Sequence, residues 1–218
     1  MEPLELSIAI NTYKSPELLR LCLESIDRFM PKSGLRYEVL VVDSATEEVT
    51  EMLMREEFPH VRFLPFKENV GFKSLINTSL DEAKGEYVFL INGDIILTEG
   101  AVPELLAYIK NHPDIGILGP KQFNFNGSIQ QSFFRFYKPV TILYRRTFLG
   151  RFAFAKKHLA WFAMEEVGDP KEPIPAEWVI GSALFVKRQT ALEVGYMDNR
   201  FFMYMEDVDW CRRFWEKG

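Results

Sequence analysis

Four short apolar runs, each the length of a strand and each followed by a stretch of helical character, constrain this chain more than any other feature. They are Leu6 to Asn11, Tyr37 to Val42, Val61 to Phe66 and Tyr87 to Ile91. Runs this apolar are what a strand buried on both faces requires. After the first, Ser15-Pro16-Glu17 supplies an N-cap, an N1 proline and a first-turn acid. Leu18, Leu19, Leu21, Cys22, Leu23 and Ile26 then give that helix its buried face. Glu47 to Glu57 and Gly71 to Ala83 are expected as the next two helices. This alternation implies right-handed crossovers and a parallel sheet, hence an α/β fold.

In an open parallel sheet, ligands bind beyond the carboxyl ends of the strands. Three polar groups stand there: Asn11-Thr12-Tyr13, Asp43-Ser44 and Asn92-Gly93-Asp94. A carboxylate at Asp43 can accept the N3–H of uracil or thymine; it can equally cap the helix beginning near Glu47. Asp94 can give one ligand to a divalent cation shared with a diphosphate, although Asn-Gly-Asp is also good turn chemistry. Glu206-Asp207-Val208-Asp209 opens the last helix. Acids there suit the helix dipole, and one of them can serve as a general base. Residue by residue, both readings of each group stay open.

The second half changes character. Ala101 to Asn111 is expected as a helix and Ile115 to Leu118 as a strand. Residues 133–162 mix aromatic side chains with Arg135, Lys138, Arg145, Arg146, Arg151, Lys156 and Lys157, and contain no acid. Cations beside large apolar side chains suit an anionic bilayer surface; they also suit helices that cover a core and extend their charges to solvent. Gly168 to Pro175 is a loop by composition, and Trp178 to Val186 is strand-like around Gly181-Ser182. Arg188 to Val194 is a short helix closed by Gly195, and Tyr204 to Lys217 runs from acids into a helix with Gly218 at C′. A chain stopping there is expected to be a C-terminally truncated piece.

With 218 residues, 47 % of them hydrophobic, the chain can bury one substantial core, so a single domain is expected. A net charge of -5 argues against a nucleic-acid partner. Two cysteines far apart in sequence, Cys22 and Cys211, read as buried thiols. No signal peptide or long apolar span is present, so a cytoplasmic protein is expected, at most peripheral at the inner face of the plasma membrane.

Order and surroundings add what single residues lack. Ser7-Ile8-Ala9-Ile10-Asn11-Thr12-Tyr13, Val41-Val42-Asp43-Ser44, Glu68-Asn69-Val70-Gly71-Phe72, Gly85 to Asp94, Trp178 to Ala183 and Phe201 to Cys211 follow one another with sensible gaps. This series resembles the motifs of family-2 inverting glycosyltransferases, most closely the rhamnosyltransferase-like branch that builds bacterial surface polysaccharides. The resemblance implies a GT-A fold: a Rossmann-like, mostly parallel sheet flanked by helices, with a C-terminal acceptor-side subregion. Residues 1–120 would form the nucleotide-sugar half and 121–218 the acceptor and base half.

By that resemblance the donor is a UDP- or dTDP-sugar, carrying rhamnose or another hexose, and the acceptor a glycan or lipid-linked hydroxyl. Thr12, Tyr13, Asp43, Asn69, Gly71 and Asn92 would bind the donor, and Asp94 would hold Mg²⁺ or Mn²⁺. Asp207 would be the general base, with Glu206, Trp178, Gly181 and Ser182 on the acceptor side. His60, His112 and His158 fall outside the motifs and read as surface or packing residues. The alternative is an inactive nucleotide-sugar-binding module of a larger protein. A sugar nucleotidylyltransferase is disfavoured, because no Gly-rich loop with a following Arg or Lys comes after the first strand.

Overall fold

The computed structural model describes residues 4–217; the C′ glycine expected at Gly218 lies outside them. The chain forms two compact units, one built from residues up to Pro120 and from Gly181 onward, the other from Lys121–Ile180. The functional divide expected at residue 120 is thus not the compact one, since the chain rejoins the first unit at Gly181.

The first unit alternates as the apolar runs demand. It contains β1 (Leu6–Tyr13), α1 (Pro16–Phe29), β2 (Tyr37–Ser44), α2 (Glu48–Glu56), β3 (Arg62–Pro65), α3 (Phe72–Glu82), β4 (Tyr87–Asn92), α4 (Ala101–Asn111) and β5 (Ile117–Leu118). The second unit holds β6 (Gln122–Phe123), β7 (Ile129–Gln130), β8 (Phe133–Phe134), α5 (Pro139–Arg146), α6 (Ala153–Phe162) and β9 (Trp178–Val179). The first is then completed by β10 (Ala183–Lys187), α7 (Arg188–Val194) and α8 (Glu206–Lys217).

Six strands make the main sheet in the order β3-β2-β1-β4-β10-β5. The first four are parallel, and β10 runs antiparallel to both β4 and β5. Leu6, Ile8, Ala9, Ile10, Leu40, Val41, Val42, Leu90 and Ile91 are completely enclosed, as strands covered on both faces must be. The antiparallel direction of β10 has a geometric consequence. Its start, Ala183, pairs with Ile91 at the carboxyl end of β4, so the chain just before β10 arrives at the ligand-binding edge.

Two local expectations are corrected. In α1, Leu19, Cys22, Leu23 and Ile26 are buried, at the i, i+3, i+4, i+7 spacing of a single stripe. Leu18 and Leu21 lie off that stripe and are 36 % and 43 % exposed. Trp178 to Val186 is not one strand: Trp178–Val179 pairs with β8 in the second unit, and the strand of the main sheet begins only at Ala183. Between them, Gly181 and Ser182 spend their backbone groups on Asp207 and Asn92.

In the second unit, Phe134 stacks on Trp178 with ring centres 4.6 Å apart, and Tyr137 and Phe162 pack beside them. With Arg145 and Leu159 these rings line a cavity of about 340 Å³. The Trp178 indole N–H donates to the Arg135 carbonyl at 2.8 Å. The histidines sit in ordinary packing: His158 bonds the buried Thr141 hydroxyl at 2.7 Å, His112 stacks on Tyr108, and His60 meets Asp27 at the surface.

Candidate functional site

The register of the sheet brings the polar strand ends together. Thr12 pairs with Asp43 and Tyr13 with Ser44 across β1 and β2, while Asn11 pairs with Asn92 across β1 and β4. Strands of matched length produce this alignment, since β1 and β2 both run eight residues and finish level. Asn11, 4 % exposed, is a structural member: its amide reaches the Ala9 and Ile91 carbonyls, and its Oδ1 accepts from Ser79. Gly93 turns the chain tightly over Thr12, where an added Cβ would lie 2.9 Å from the Thr12 Oγ1. Thr12 is buried, and Tyr13 stands 47 % exposed at the rim.

Asp43 decides between the two readings open for it. The N-cap position of α2 is Glu47, and neither Asp43 carboxylate oxygen accepts a well-formed hydrogen bond although the residue is only 1 % exposed, the Thr46 hydroxyl and Ser44 amide lying close but poorly aligned. The Thr46 hydroxyl bonds the Asp43 backbone carbonyl instead, at 3.3 Å. Asp43 is therefore not a cap. Burial pushes its carboxyl from the ordinary 3.8 up to about 6, against smaller opposing pulls from Thr46 and the Ser44 amide. A buried acceptor left without a donor is costly, and a donor arriving with a ligand would relieve it.

Next to Asp43, Ser44 ties the strand end to the loop that enters α3. Its hydroxyl donates to Asn69 Oδ1 at 3.3 Å and accepts the Val70 N–H at 3.0 Å; Asn69 Oδ1 also accepts the Gly71 N–H at 3.0 Å. Gly71 occupies the left-handed side of backbone space (φ 76°), and a Cβ there would stand 2.9 Å from the Phe202 carbonyl oxygen. Alanine would be strained on both counts.

On the other side of β1, Asn92 donates its backbone N–H to the Ser182 carbonyl at 2.9 Å, and the Asn92 carbonyl accepts from Ile95 at 3.1 Å. The turn reading of Asn92-Gly93-Asp94 is correct as far as the backbone goes. Its effect is to leave the Asp94 side chain exposed just past the sheet edge. One open carboxylate suits a hard cation that takes most of its ligands from a diphosphate and water. Among the described residues, no three His, Cys, Asp or Glu side chains gather as a cation cage.

Asp207 is partly buried in the first turn of α8 and accepts two backbone bonds. Gly181 N–H reaches its Oδ2 at 3.0 Å and Val208 N–H its Oδ1 at 2.9 Å. Burial raises its pKa, and these amide bonds lower it by less. Each oxygen keeps a second lone pair for a substrate proton. Glu206 is 4 % exposed with Oε2 unbonded, and burial is the main cause of its raised pKa, with the Asp207 charge a smaller one. The link to the strand ends is direct: Gly181 bonds Asp207, the adjacent Ser182 bonds Asn92, and Asp94 lies two residues on.

Within the first unit, the structure thus brings Thr12, Tyr13, Asp43, Asn69, Gly71, Asn92, Asp94, Gly181, Ser182, Glu206 and Asp207 to one sheet edge and its adjoining loops. Trp178 belongs to the second unit, in the wall of its aromatic cavity. Two features lie within motifs that the sequence singled out, but their packing and backbone conformation do not show in it. Phe72 packs where a Cβ on Gly181 would meet its ring at 2.9 Å, and no polar atom marks such a residue. Tyr204 and Met205, just before Glu206, both adopt left-handed backbone (φ 70° and 73°), which nothing in their side chains favours. Ser44, by contrast, was detectable as the hydroxyl next to a strand-end acid.

The Glycosyl transferase family 2 model matches residues 7–164. The N-acetylglucosaminyl-diphospho-decaprenol L-rhamnosyltransferase of Mycobacterium tuberculosis is 29% identical over 211 residues, 88% of this chain and 67% of the relative. Among solved structures, Staphylococcus aureus TarS superposes with a TM-score of 0.65 at 18% identity, over 96% of this chain and 33% of that one. The mannosyltransferase PcManGT from Pyrobaculum calidifontis, in complex with GDP-Man and Mn2+, gives a TM-score of 0.59 at 17% identity, over 96% of this chain and 51% of that one. The chain therefore spans two thirds of the mycobacterial relative's length and a third to a half of the two solved chains.

Proposed function

The chain belongs to glycosyl transferase family 2, and on that premise we propose that it is an inverting, metal-dependent hexosyltransferase, moving rhamnose or another hexose from a UDP- or dTDP-sugar to a hydroxyl of a glycan or lipid-linked acceptor. The observation that carries the donor assignment is Asp43. A buried carboxylate with no well-formed hydrogen bond, beside Thr12 at the carboxyl end of the sheet, is an acceptor open to a ligand N–H. The N3–H of uracil or thymine is a donor of that kind. Tyr13, Asn69, Gly71 and Asn92 border the same edge and form the rest of the donor pocket in this reading.

Asp94 would hold Mg²⁺ or Mn²⁺ together with the donor's diphosphate. A cation so placed supplies charge neutralisation for the departing nucleoside diphosphate. Asp207 takes the proton from the acceptor hydroxyl, whose oxygen bonds the anomeric carbon as the bond from that carbon to the diphosphate oxygen breaks. Direct displacement inverts the anomeric centre and needs no enzyme nucleophile. The backbone bonds from Gly181 and Val208 fix Asp207 in one orientation, and burial lifts its basicity above that of an ordinary carboxylate. Buried Glu206 packs its charge against this arrangement and positions the base. The aromatic wall around Trp178 is the acceptor-side surface of the second unit, where ring faces can cover sugar or lipid.

The acceptor reading leads to a place of work: the inner face of the plasma membrane, with residues 133–162 in contact with it, in the assembly of bacterial surface polysaccharide. The test is transfer from radiolabelled UDP- and dTDP-sugars to a lipid-diphosphate-linked N-acetylglucosamine, with and without Mn²⁺, followed by determination of the anomeric product. Metal-dependent formation of the inverted product is the expected result. Tight nucleotide binding with no transfer to any acceptor would instead favour a binding module without turnover.

A further inference from the structure

Residues 142–157 of the second unit expose more large apolar side chains than a solvated surface needs. Ile142 is 50%, Leu143 46%, Phe148 70%, Phe152 48% and Phe154 58% exposed. The aromatic ones are contiguous. Phe152 and Phe154 stack with ring centres 5.7 Å apart, Phe148 stands edge-on to Phe152 at 6.4 Å, and Tyr144 is edge-on to Phe154 at 5.7 Å. Core packing accounts for the inward residues of α5 and α6, Thr141, Ala155 and Phe162, but leaves these rings in water. A contiguous apolar patch with a polar rim marks an interaction surface.

Charge identifies the kind of partner. Residues 133–162 carry seven Lys and Arg and no acid, in a chain whose net charge is -5. Three of the seven are spent internally. Arg135 bonds Glu166 and the Trp161 carbonyl, Lys138 lies over the Trp161 ring at 4.2 Å, and Arg145 bonds the Tyr137 hydroxyl. Arg146, Arg151, Lys156 and Lys157 are exposed and make no ion pair among the described residues. They flank the aromatic patch in sequence on both sides.

We propose that Phe148, Phe152 and Phe154, with Arg146, Arg151, Lys156 and Lys157, form a docking surface for an anionic phospholipid bilayer, the rings entering the headgroup region and the cations pairing with lipid phosphates. Short helical segments that present apolar rings among free cations are built to lie in that interface, and each nearby cation adds affinity for an anionic leaflet that salt screens away. The inference rests on the reading of this chain as an enzyme for membrane-held acceptors, and it narrows that reading to the side chains in contact and the lipid charge they recognise.

The test is co-sedimentation with phosphatidylcholine vesicles prepared with and without phosphatidylglycerol. The protein is expected to bind the anionic vesicles, to release in high salt, and to leave the zwitterionic ones largely unbound. Combined Arg146→Gln, Arg151→Gln, Lys156→Gln and Lys157→Gln substitution should weaken anionic binding by at least a hundredfold, from about fivefold per cation removed. Combined Phe148→Ser, Phe152→Ser and Phe154→Ser should weaken it with the cations intact, and all these side chains are exposed, so unchanged circular dichroism and nucleotide binding establish that the variants are folded. No binding by the wild type, equal binding to both vesicle types, or wild-type binding by either variant would overturn the proposal. Transfer to a water-soluble acceptor separates the two readings: transfer without vesicle binding removes only the docking surface, and vesicle binding without transfer removes only the enzymatic assignment.

Discussion

If Asp43 is a vacant acceptor awaiting the nucleobase, its ionisation must be linked to donor binding, and the size of the link follows from its burial. The carboxyl is pushed from 3.8 to about 6 chiefly by loss of solvent. Its ordinary value holds in the unfolded chain, so between pH 4 and 6 the folded protein binds more protons than the unfolded one. Stability attributable to this group therefore falls as pH rises through that window, and the whole cost is present above it. The displacement corresponds to at most about 3 kcal/mol. Asp43→Asn, which cannot ionise, should gain up to this amount relative to the wild type between pH 4 and pH 8 in urea titrations.

Binding should show the converse. The charged carboxylate is a stronger acceptor for the base N–H than the neutral acid, so affinity for a UDP-sugar should fall by up to about tenfold from pH 7 to pH 5, as the ionised fraction drops from about nine-tenths to about one-tenth. A UDP-sugar is the right probe because its diphosphate has no proton to lose in this range. Calorimetry in two buffers of different ionisation heat should register proton release near pH 6, and Asp43→Asn should bind weakly with no pH dependence. A wild-type affinity that is flat from pH 5 to 7 would refute the reasoning, since the buried acid would then not face the ligand.

Four further outcomes are expected. Asp207→Asn keeps a side chain of the same shape but no base, so transfer should fall about 10²–10⁴-fold with donor affinity within about twofold of the wild type; comparable turnover by the variant would move the base elsewhere. In the wild type, transfer should decline as pH falls through a value above the ordinary carboxylate range, because Asp207 is raised by burial, and a profile still flat at the onset of acid unfolding would contradict this. Asp94→Ala should abolish the gain in donor affinity produced by Mn²⁺ in calorimetry while leaving metal-free binding nearly unchanged. Gly85→Ala would set a Cβ 2.5 Å from the Leu6 carbonyl carbon and the Ser7 nitrogen; this overpacking against backbone should cost about 3 kcal/mol in urea unfolding, with the fold otherwise retained.

The parallel half of the sheet was legible because strands covered on both faces must be apolar throughout, and LSIAIN, YEVLVV and YVFLIN admit little else. Strand direction leaves no such mark. Ala183 to Lys187 is as apolar as β1, yet it enters the sheet antiparallel because the chain approaches from the carboxyl edge of β4. The overcounted face of α1 has a similar origin: Leu18 and Leu21 are apolar, but a helix can turn only one stripe toward a sheet. Trp178 shared an apolar run with Ala183, and only the backbone commitments of Gly181 and Ser182 reveal that the run is cut between two units.

The three aspartates divide along the same line, and the way they divide explains why local chemistry could not rank them. Asp94 does what its sequence suggests, closing a turn, and its open carboxylate is a by-product of that turn. Asp207 also obeys its local rule, an acid in the first turn of a helix, but one of its oxygens reaches 26 residues back to the Gly181 amide, and that long bond distinguishes it from a solvated cap. Asp43 breaks its local rule altogether: an acid beside a helix start that caps nothing and is enclosed without a donor. A folded chain keeps such a cost where the missing donor comes from outside. The least locally satisfied of the three is for that reason the most informative, and the binding experiment on Asp43 tests the site assignment more severely than the loss of turnover at Asp207 would.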